Sequence, residues 1–152
     1  MTWTRRWLPA IVWAAVISMF STHYFTSENT ATIFVPIMHW LFPSLSLQTI
    51  DALHHVVRKS AHVAEYFIFS LLVLRGIRSD RRGLRLAWVL ATIAIVFAYA
   101  SLDEFHQSFV PGRTAAFSDV LIDTSGGALA QAVAALIALR ASRRKRGETP
   151  AG

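Results

Sequence analysis

Residues 84–103 read LRLAWVLATIAIVFAYASLD, and this stretch decides the fold class. Between Arg85 and Asp103 it contains no charged side chain. The hydrocarbon core of a bilayer is about 30 Å thick, and about 20 residues of α-helix can cross it. The stretch therefore predicts a membrane-spanning helix.

Three other apolar stretches of similar length occur in the chain, and together they predict an all-α protein. The four predicted spans are residues 7–25, 56–75, 84–103 and 120–140. We expect a four-transmembrane-helix bundle that forms a single domain over residues 1–146. Residues 147–152 then form a short flexible tail.

The first apolar stretch has a second interpretation, because Arg5 and Arg6 precede it as basic residues precede a secretory signal peptide. The stretch is long for the apolar part of such a peptide, and no Ala-x-Ala-like cleavage site follows it. We therefore expect an uncleaved helix.

The composition agrees with a membrane protein. Hydrophobic residues make up 54% of the 152 residues and charged residues only 16%, whereas soluble domains average about 25% charged residues. Mean hydropathy is +0.43. The chain has no cysteine, which excludes disulfides, thiolate metal sites and a cysteine nucleophile.

The basic residues predict the orientation of the bundle. Twelve of the 15 Lys and Arg residues fall on one side of a four-span layout. They are Arg5, Arg6, Arg75, Arg78, Arg81, Arg82, Arg85, Arg140, Arg143, Arg144, Lys145 and Arg146. By the positive-inside rule, both termini are cytoplasmic. A basic tail next to a membrane is explained by orientation and anionic lipid, so we expect no nucleic-acid partner.

The connection between the first two spans is too long for a simple turn. Within it, residues 33–42 are apolar but too short to cross a bilayer, and Pro43 ends them. They predict an interfacial or re-entrant segment in the first outer loop. An amphipathic approach to the second span is predicted by apolar residues at helical spacing, namely Leu47, Ile50, Leu53 and Val57.

Polar side chains of the last three spans recur at helical spacing and therefore share helix faces. Lys59, His62 and Tyr66 form the first row, with Glu65 at its edge. Tyr99, Asp103 and Gln107 form the second, next to Glu104 and His106, and Asp119, Asp123 and Gly127 form the third. The predicted binding residues are Lys59, His62, Glu65, Tyr66, Asp103, Glu104, His106, Gln107, Arg113, Asp119 and Asp123.

These groups lie at similar predicted depths, from the middle of the bilayer to its outer interface, if each span rises about 1.5 Å per residue from its basic end. Ionisable groups at such depths usually face the bundle interior or water and are paired. Three cations, Arg58, Lys59 and Arg113, accompany five acids in this zone. Some carboxylates must then be protonated, exposed to water or matched by an outside cation.

The same residues carry a family resemblance. Lys59-x-x-His62-x-x-Glu65-Tyr66 is followed by Asp103-Glu104-x-His106-Gln107-x-Phe109-x-Pro111-Gly112-Arg113 and then by Asp119, Asp123 and Gly127. This pattern resembles the VanZ-like family of bacterial integral membrane proteins, whose namesake is associated with reduced susceptibility to teicoplanin. The family often has Asn where this chain has Asp123. The resemblance implies the bacterial cytoplasmic (inner) membrane and a role in the cell envelope, but no particular reaction.

One interpretation of the site is a receptor for a lipid or cell-wall precursor headgroup in the outer leaflet. Lys59, Arg58 and Arg113 could bind phosphate or pyrophosphate, while Asp and Gln side chains meet sugar or peptide groups. The family's link to glycopeptides, whose target is a lipid-linked cell-wall precursor, agrees with this function. Membrane lipids and such a precursor are then the expected partners.

Three alternatives stay open at this point. Histidines and carboxylates could hold a divalent metal in a hydrolase or transferase, although the chain has no His-Glu-x-x-His run and no Gly-rich phosphate loop. The polar groups could form a purely structural network that locks three helices together. The protein could also be a small ion-coupled carrier, which would require a homo-oligomer. The residues therefore do not decide whether the protein is an enzyme, and they indicate no cofactor.

Overall fold

A computed structural model of the chain describes residues 2–22, 26–110 and 116–147. For residues 145–147 it describes the backbone only. All regular structure in these ranges is helical, which confirms the all-α class. The five helices are α1 (Trp3–Phe20), α2 (Ser27–Leu41), α3 (Leu47–Arg78), α4 (Leu86–Gln107) and α5 (Phe117–Gly147).

Three of these helices are long and apolar enough to cross a membrane: α3, α4 and residues 117–144 of α5. α3 and α5 contain the second and fourth predicted spans, and α4 begins at Leu86, two residues after the start of the third predicted span, and covers the rest of it. The first predicted span overlaps α1, an 18-residue helix that includes Arg5 and Arg6. The two guanidinium groups lower its average hydropathy. Residues 23–25, where that predicted span ends, lie outside the described residues.

The core lies where α1, α3, α4 and α5 meet. Its buried apolar residues include Ile17, Tyr66, Phe69, Val96 and Ala100. Large apolar side chains are also exposed on the outer surface of the bundle, among them Leu90 at 58%, Leu129 at 53% and Leu136 at 55%. Exposed apolar surface of this extent is typical of helices that face lipid rather than water.

Small residues allow α5 to pack closely against its neighbours. A Cβ atom at Gly126 would collide with the carbonyl oxygen of Val63 in α3, and one at Gly127 would lie 2.7 Å from a Cγ atom of Val96 in α4. Gly126 and Gly127 are both buried. Such close backbone approach through small residues is common between membrane helices. It brings the N-terminal half of α5 against both partners at once.

The connection between α1 and α3 contains α2, which packs against α3. Thr26 caps the helix by accepting a hydrogen bond from the Asn29 backbone N–H (3.3 Å), so the helix begins well before the apolar residues 33–42. Thr30 Oγ1 lies 3.0 Å from Nε2 of the buried His54. None of the residues of α2 is buried.

The predicted amphipathic approach and the second span are one continuous helix. Ser46 caps α3 by accepting a hydrogen bond from the Thr49 N–H (3.2 Å), and the helix then continues through 32 residues to Arg78. Of the four apolar residues that predicted this approach, Ile50 is buried and Leu47 is 65% exposed. The first turns of α3 therefore form the surface against which α2 packs.

Candidate functional site

The end of α4 is joined to the end of α1 by a buried carboxylate. Ser21, just after α1, donates a hydrogen bond to Asp103 Oδ2 (2.7 Å), and Gln107 donates a second one to the same oxygen (2.8 Å). The Gln107 amide also lies 3.3 Å from Ser21 Oγ. Only 5% of Asp103, 6% of Gln107 and 2% of Ser21 is exposed. Asp103 is therefore a satisfied acceptor that holds two helix ends together.

Glu104, the next residue of α4, binds the start of α5. Its Oε1 accepts a hydrogen bond from the backbone N–H of Ala116 (2.6 Å), immediately before α5 begins. The residue is 7% exposed. A carboxylate at the N-terminus of a helix satisfies an N–H that the helix itself cannot pair, and it interacts favourably with the helix dipole.

Two acid–base pairs join α3 to α5. Lys59 Nζ donates a hydrogen bond to Asp119 Oδ1, and both side chains are partly exposed, at 45% and 33%. His62 Nδ1 lies 3.4 Å from Asp123 Oδ1, with side-chain exposures of 25% and 3%. Residues 59 and 62 are one turn apart on α3, and residues 119 and 123 are one turn apart on α5. The two pairs are therefore consecutive rungs between the helices.

The carboxylates of α4 and α5 form one acidic cluster. Asp103, Glu104, Asp119 and Asp123 lie close enough for their negative charges to repel one another. Tyr66 of α3 interacts electrostatically with Asp103 and Asp123, and its side chain is fully buried. Among the described residues its hydroxyl group has no hydrogen-bond partner. The three polar rows thus meet at one end of the bundle.

The remaining predicted residues are placed differently. Glu65 is partly buried next to Tyr66, and its backbone carbonyl accepts a hydrogen bond from Trp13 Nε1 (2.9 Å). The side chain of His106 is exposed, because it points about 100° around α4 from the buried Gln107. Arg113 lies outside the described residues, so the prediction for it stays a prediction.

We compared the sequence of the chain with models of known protein families. A family model described as VanZ/LLP1 matches residues 6–138, which include every predicted site residue. The chain belongs to the VanZ-like family. Comparisons with curated proteins and with solved structures gave no match.

The VanZ-like bundle also contains buried polar contacts that the sequence did not predict. Gln131 of α5 donates to Ser70 Oγ of α3 (2.8 Å), and Ser70 in turn donates to the carbonyl oxygen of Gly127 (3.0 Å). Ser21 was also missed as a partner of Asp103. Gln131 continues the row from Asp123 and Gly127 by one more step of four residues, so extending that row would have found it. For Ser21 no helical spacing gives a signal, because it lies beyond the end of α1.

Metal binding by this VanZ-like site has no geometric support in residues 2–22, 26–110 and 116–147. Within them, no three His, Asp or Glu side chains come together in an arrangement that could hold a metal ion. The ring of His62 lies 3.4 Å from a carboxylate oxygen of Asp123. The contacts instead divide the site into two parts. We name the partly exposed Lys59, His62 and Asp119 the rim, and the buried Asp103, Glu104, Gln107 and Asp123 the floor.

Proposed function

We propose that the rim binds the polar headgroup of an outer-leaflet lipid or a lipid-linked cell-wall precursor in the bacterial inner membrane. The observation that carries the proposal is the division of the site by exposure. Lys59 and Asp119 keep 45% and 33% of their side chains exposed, directly beside a floor whose Asp103 is only 5% exposed. Charged side chains that remain accessible at a membrane interface are available to a ligand.

The chemistry of the rim suits a phosphate linked to a sugar or peptide. The Lys59 ammonium can donate to phosphate oxygens, Asp119 can accept from hydroxyl or amide groups, and the His62 ring can do either. A partly exposed ion pair such as Lys59–Asp119 contributes only about 0–1 kcal/mol. Its exchange for contacts with a ligand therefore costs little. We propose that Arg113, a predicted binding residue outside the described part of the chain, supplies a second cation to the same headgroup.

The floor has a different task in this proposal. Asp103 and Glu104 accept hydrogen bonds from Ser21 and from the Ala116 N–H, so they fix the ends of α1, α4 and α5. They are positioning residues for the rim rather than ligand contacts.

Variants of the rim test this division. We expect Lys59→Ala and His62→Ala to reach normal membrane abundance and melting temperature but to lose binding of a polyprenyl-pyrophosphate-linked sugar, measured against phosphatidylcholine. Lys59→Arg retains part of the binding because the charge remains. His55→Ala is the matched control, since His55 lies on the same helix and is 61% exposed.

A structural role for the rim predicts other results. Lys59→Ala would then lower abundance and melting temperature, and Asp119→Asn in the same chain would restore them by removing the uncompensated charge. That rescue, without any change in ligand binding, contradicts the proposal. In a host that expresses the protein, we expect rim variants to lose any effect of the protein on glycopeptide susceptibility. Arg113→Ala should lose more of this effect than Arg113→Lys, which keeps the charge but not the bidentate geometry.

We also propose that the protein crosses the membrane four times with both termini in the cytoplasm, with α1 as the first span and α2 as an interfacial helix. The 12 basic residues at one end of this layout support it. α1 also packs along α3 and buries Ile17 in the common core. Alkaline-phosphatase fusions should be active after Glu28 and inactive after Asp80. Activity after Asp80 excludes this orientation.

A further inference from the structure

A large groove lies between α3 and α5, far from the acidic cluster. Its volume is about 630 Å³, within the range of roughly 300–1,000 Å³ typical of sites for small ligands. From His62 to Arg75, α3 rises about 20 Å at 1.5 Å per residue, so the groove and the rim are separate sites. The residues that line the groove are Leu71, Leu74, Arg75, Arg78, Gly83, Leu84, Val133, Ala134, Ile137, Ala138, Ala141 and Ser142.

The groove has an apolar wall and a cationic end. Leucine, valine, isoleucine and alanine side chains form most of the lining, and no Asp or Glu is among the lining residues. Among the described residues, Arg75 and Arg78 are the only ionisable groups in that lining, and both are exposed. Arg75 Nη1 also donates a hydrogen bond to the backbone carbonyl oxygen of Arg6 (3.4 Å), which holds its guanidinium group at the end of the bundle.

Small residues keep the groove open. Ala134, Ala138 and Ala141 line it on α5. The lining also includes Gly83, in the connection between α3 and α4, with φ at +82°, and a Cβ atom placed there would meet no atom within 4 Å. The lining thus leaves room for acyl chains between the two helices.

We propose that this groove binds one anionic phospholipid from the leaflet on the basic side of the membrane. The acyl chains lie against Leu71, Leu74 and Ile137, and the phosphate of the headgroup accepts hydrogen bonds from Arg75 and Arg78. Guanidinium groups bind phosphate through paired hydrogen bonds. Basic pockets between membrane helices on the cytoplasmic side are a known mode of binding acidic lipid headgroups.

Charge complementarity favours this occupant over a second copy of the chain. The end of the bundle that carries the groove is rich in arginine, including Arg81, Arg85, Arg140 and Arg143. A second copy that docked there in a symmetric dimer would bring two cationic ends together, and like charges disfavour that contact. An anionic headgroup instead supplies the charge that the groove lacks.

A lipid titration tests this proposal. Phosphatidylglycerol is added to the purified full-length protein in phosphatidylcholine nanodiscs, and native mass spectrometry of the released protein then counts the lipids bound to it. We expect the wild type to retain one phosphatidylglycerol molecule with at least about tenfold preference over phosphatidylcholine, the size of effect that one charge-assisted contact gives. The double variant Arg75→Gln/Arg78→Gln should lose this preference. The matched control Arg140→Gln/Arg143→Gln removes the same charge from exposed residues outside the lining and should keep it.

A second variant covers the case in which the arginine variants fold poorly. Ala138→Phe fills the groove without changing charge, and we expect it to lose the bound lipid while the rim keeps its ligand. Equal loss in the Arg140/Arg143 control would show that only surface charge attracts the lipid, and the proposal would then be wrong. Retention of the lipid by Ala138→Phe, or a wild-type mass of two chains with no lipid, would also overturn it.

Discussion

Replacement of Asp103 is the sharpest test of how the end of the bundle is held together. In Asp103→Ala the buried Ser21 hydroxyl and Gln107 amide lose the oxygen to which both donate. A buried donor left without an acceptor costs about 1–3 kcal/mol. Ser21 and Gln107 lie 3.3 Å apart and can satisfy each other in part. We therefore expect a loss of about 2–4 kcal/mol in the free energy of unfolding.

Asp103→Asn separates hydrogen bonding from charge. The Asn side chain keeps one acceptor oxygen for both donors and removes a negative charge from a group of four carboxylates. We expect a loss of less than about 1 kcal/mol, because relief of repulsion offsets weaker hydrogen bonds. Melting of the detergent-solubilised protein measures both variants. Asp51→Ala is the control, since Asp51 is 65% exposed and pairs only weakly with His55 at 3.9 Å.

Two results would refute this reasoning. If Asp103→Asn were as damaging as Asp103→Ala, the charge itself would be essential, and the carboxylate would not act mainly as an acceptor. If Asp103→Ala melted like the wild type, the hydrogen bonds from α1 would contribute nothing. The double variant Ser21→Ala/Asp103→Ala gives a further check. Its loss should be smaller than the sum of the two single losses, since each change removes the same contact.

Two predictions concern the packing of α5. Gly126→Ala should destabilise the protein by about 1–3 kcal/mol or more, because its Cβ atom would collide with the rigid backbone of Val63. Thermal melting measures this loss. An equal loss of stability in the exposed Ala128→Val would contradict the prediction. Gln131→Leu should change stability by less than about 1 kcal/mol, because hydrogen bonds between membrane helices average about 0.6 kcal/mol. In addition, the buried Gln131 Oε1 accepts no hydrogen bond from the described residues, so its removal costs no contact. A larger loss in the same melting assay would show that the Gln131–Ser70 contact is more than a local bond.

The helices of this protein were largely predictable because apolar length is a direct signal for a membrane span. Spacing within a helix also predicted which polar residues share a face, and the structure brings Lys59 to Asp119 and His62 to Asp123. Periodicity carries no information about which helices meet, however. Ser21 was therefore not recognised as a partner of Asp103.

Local helix geometry explains two other differences. His106 was grouped with Gln107 because the two are adjacent in sequence, but neighbouring residues in a helix point about 100° apart, and His106 is exposed while Gln107 is buried. The predicted interfacial segment began at residue 33, whereas α2 begins at Ser27. Its first turns are polar, so hydropathy gave no signal there, and the Thr26 cap determines where the helix starts.

The length of α3 has a consequence for how the protein sits in its bilayer. Its 32 residues make a helix about 48 Å long, about 18 Å more than the hydrocarbon core of a typical membrane. An upright α3 therefore extends beyond the acyl chains, while α4, with 22 residues, is about 33 Å long and nearly matches them. A thicker bilayer would bury more of α3 or change its tilt, and Lys59 would then lie closer to hydrocarbon. Membrane thickness should thus determine how much water reaches the rim. The lipid composition of the host, which sets that thickness, then changes the hydration of the site.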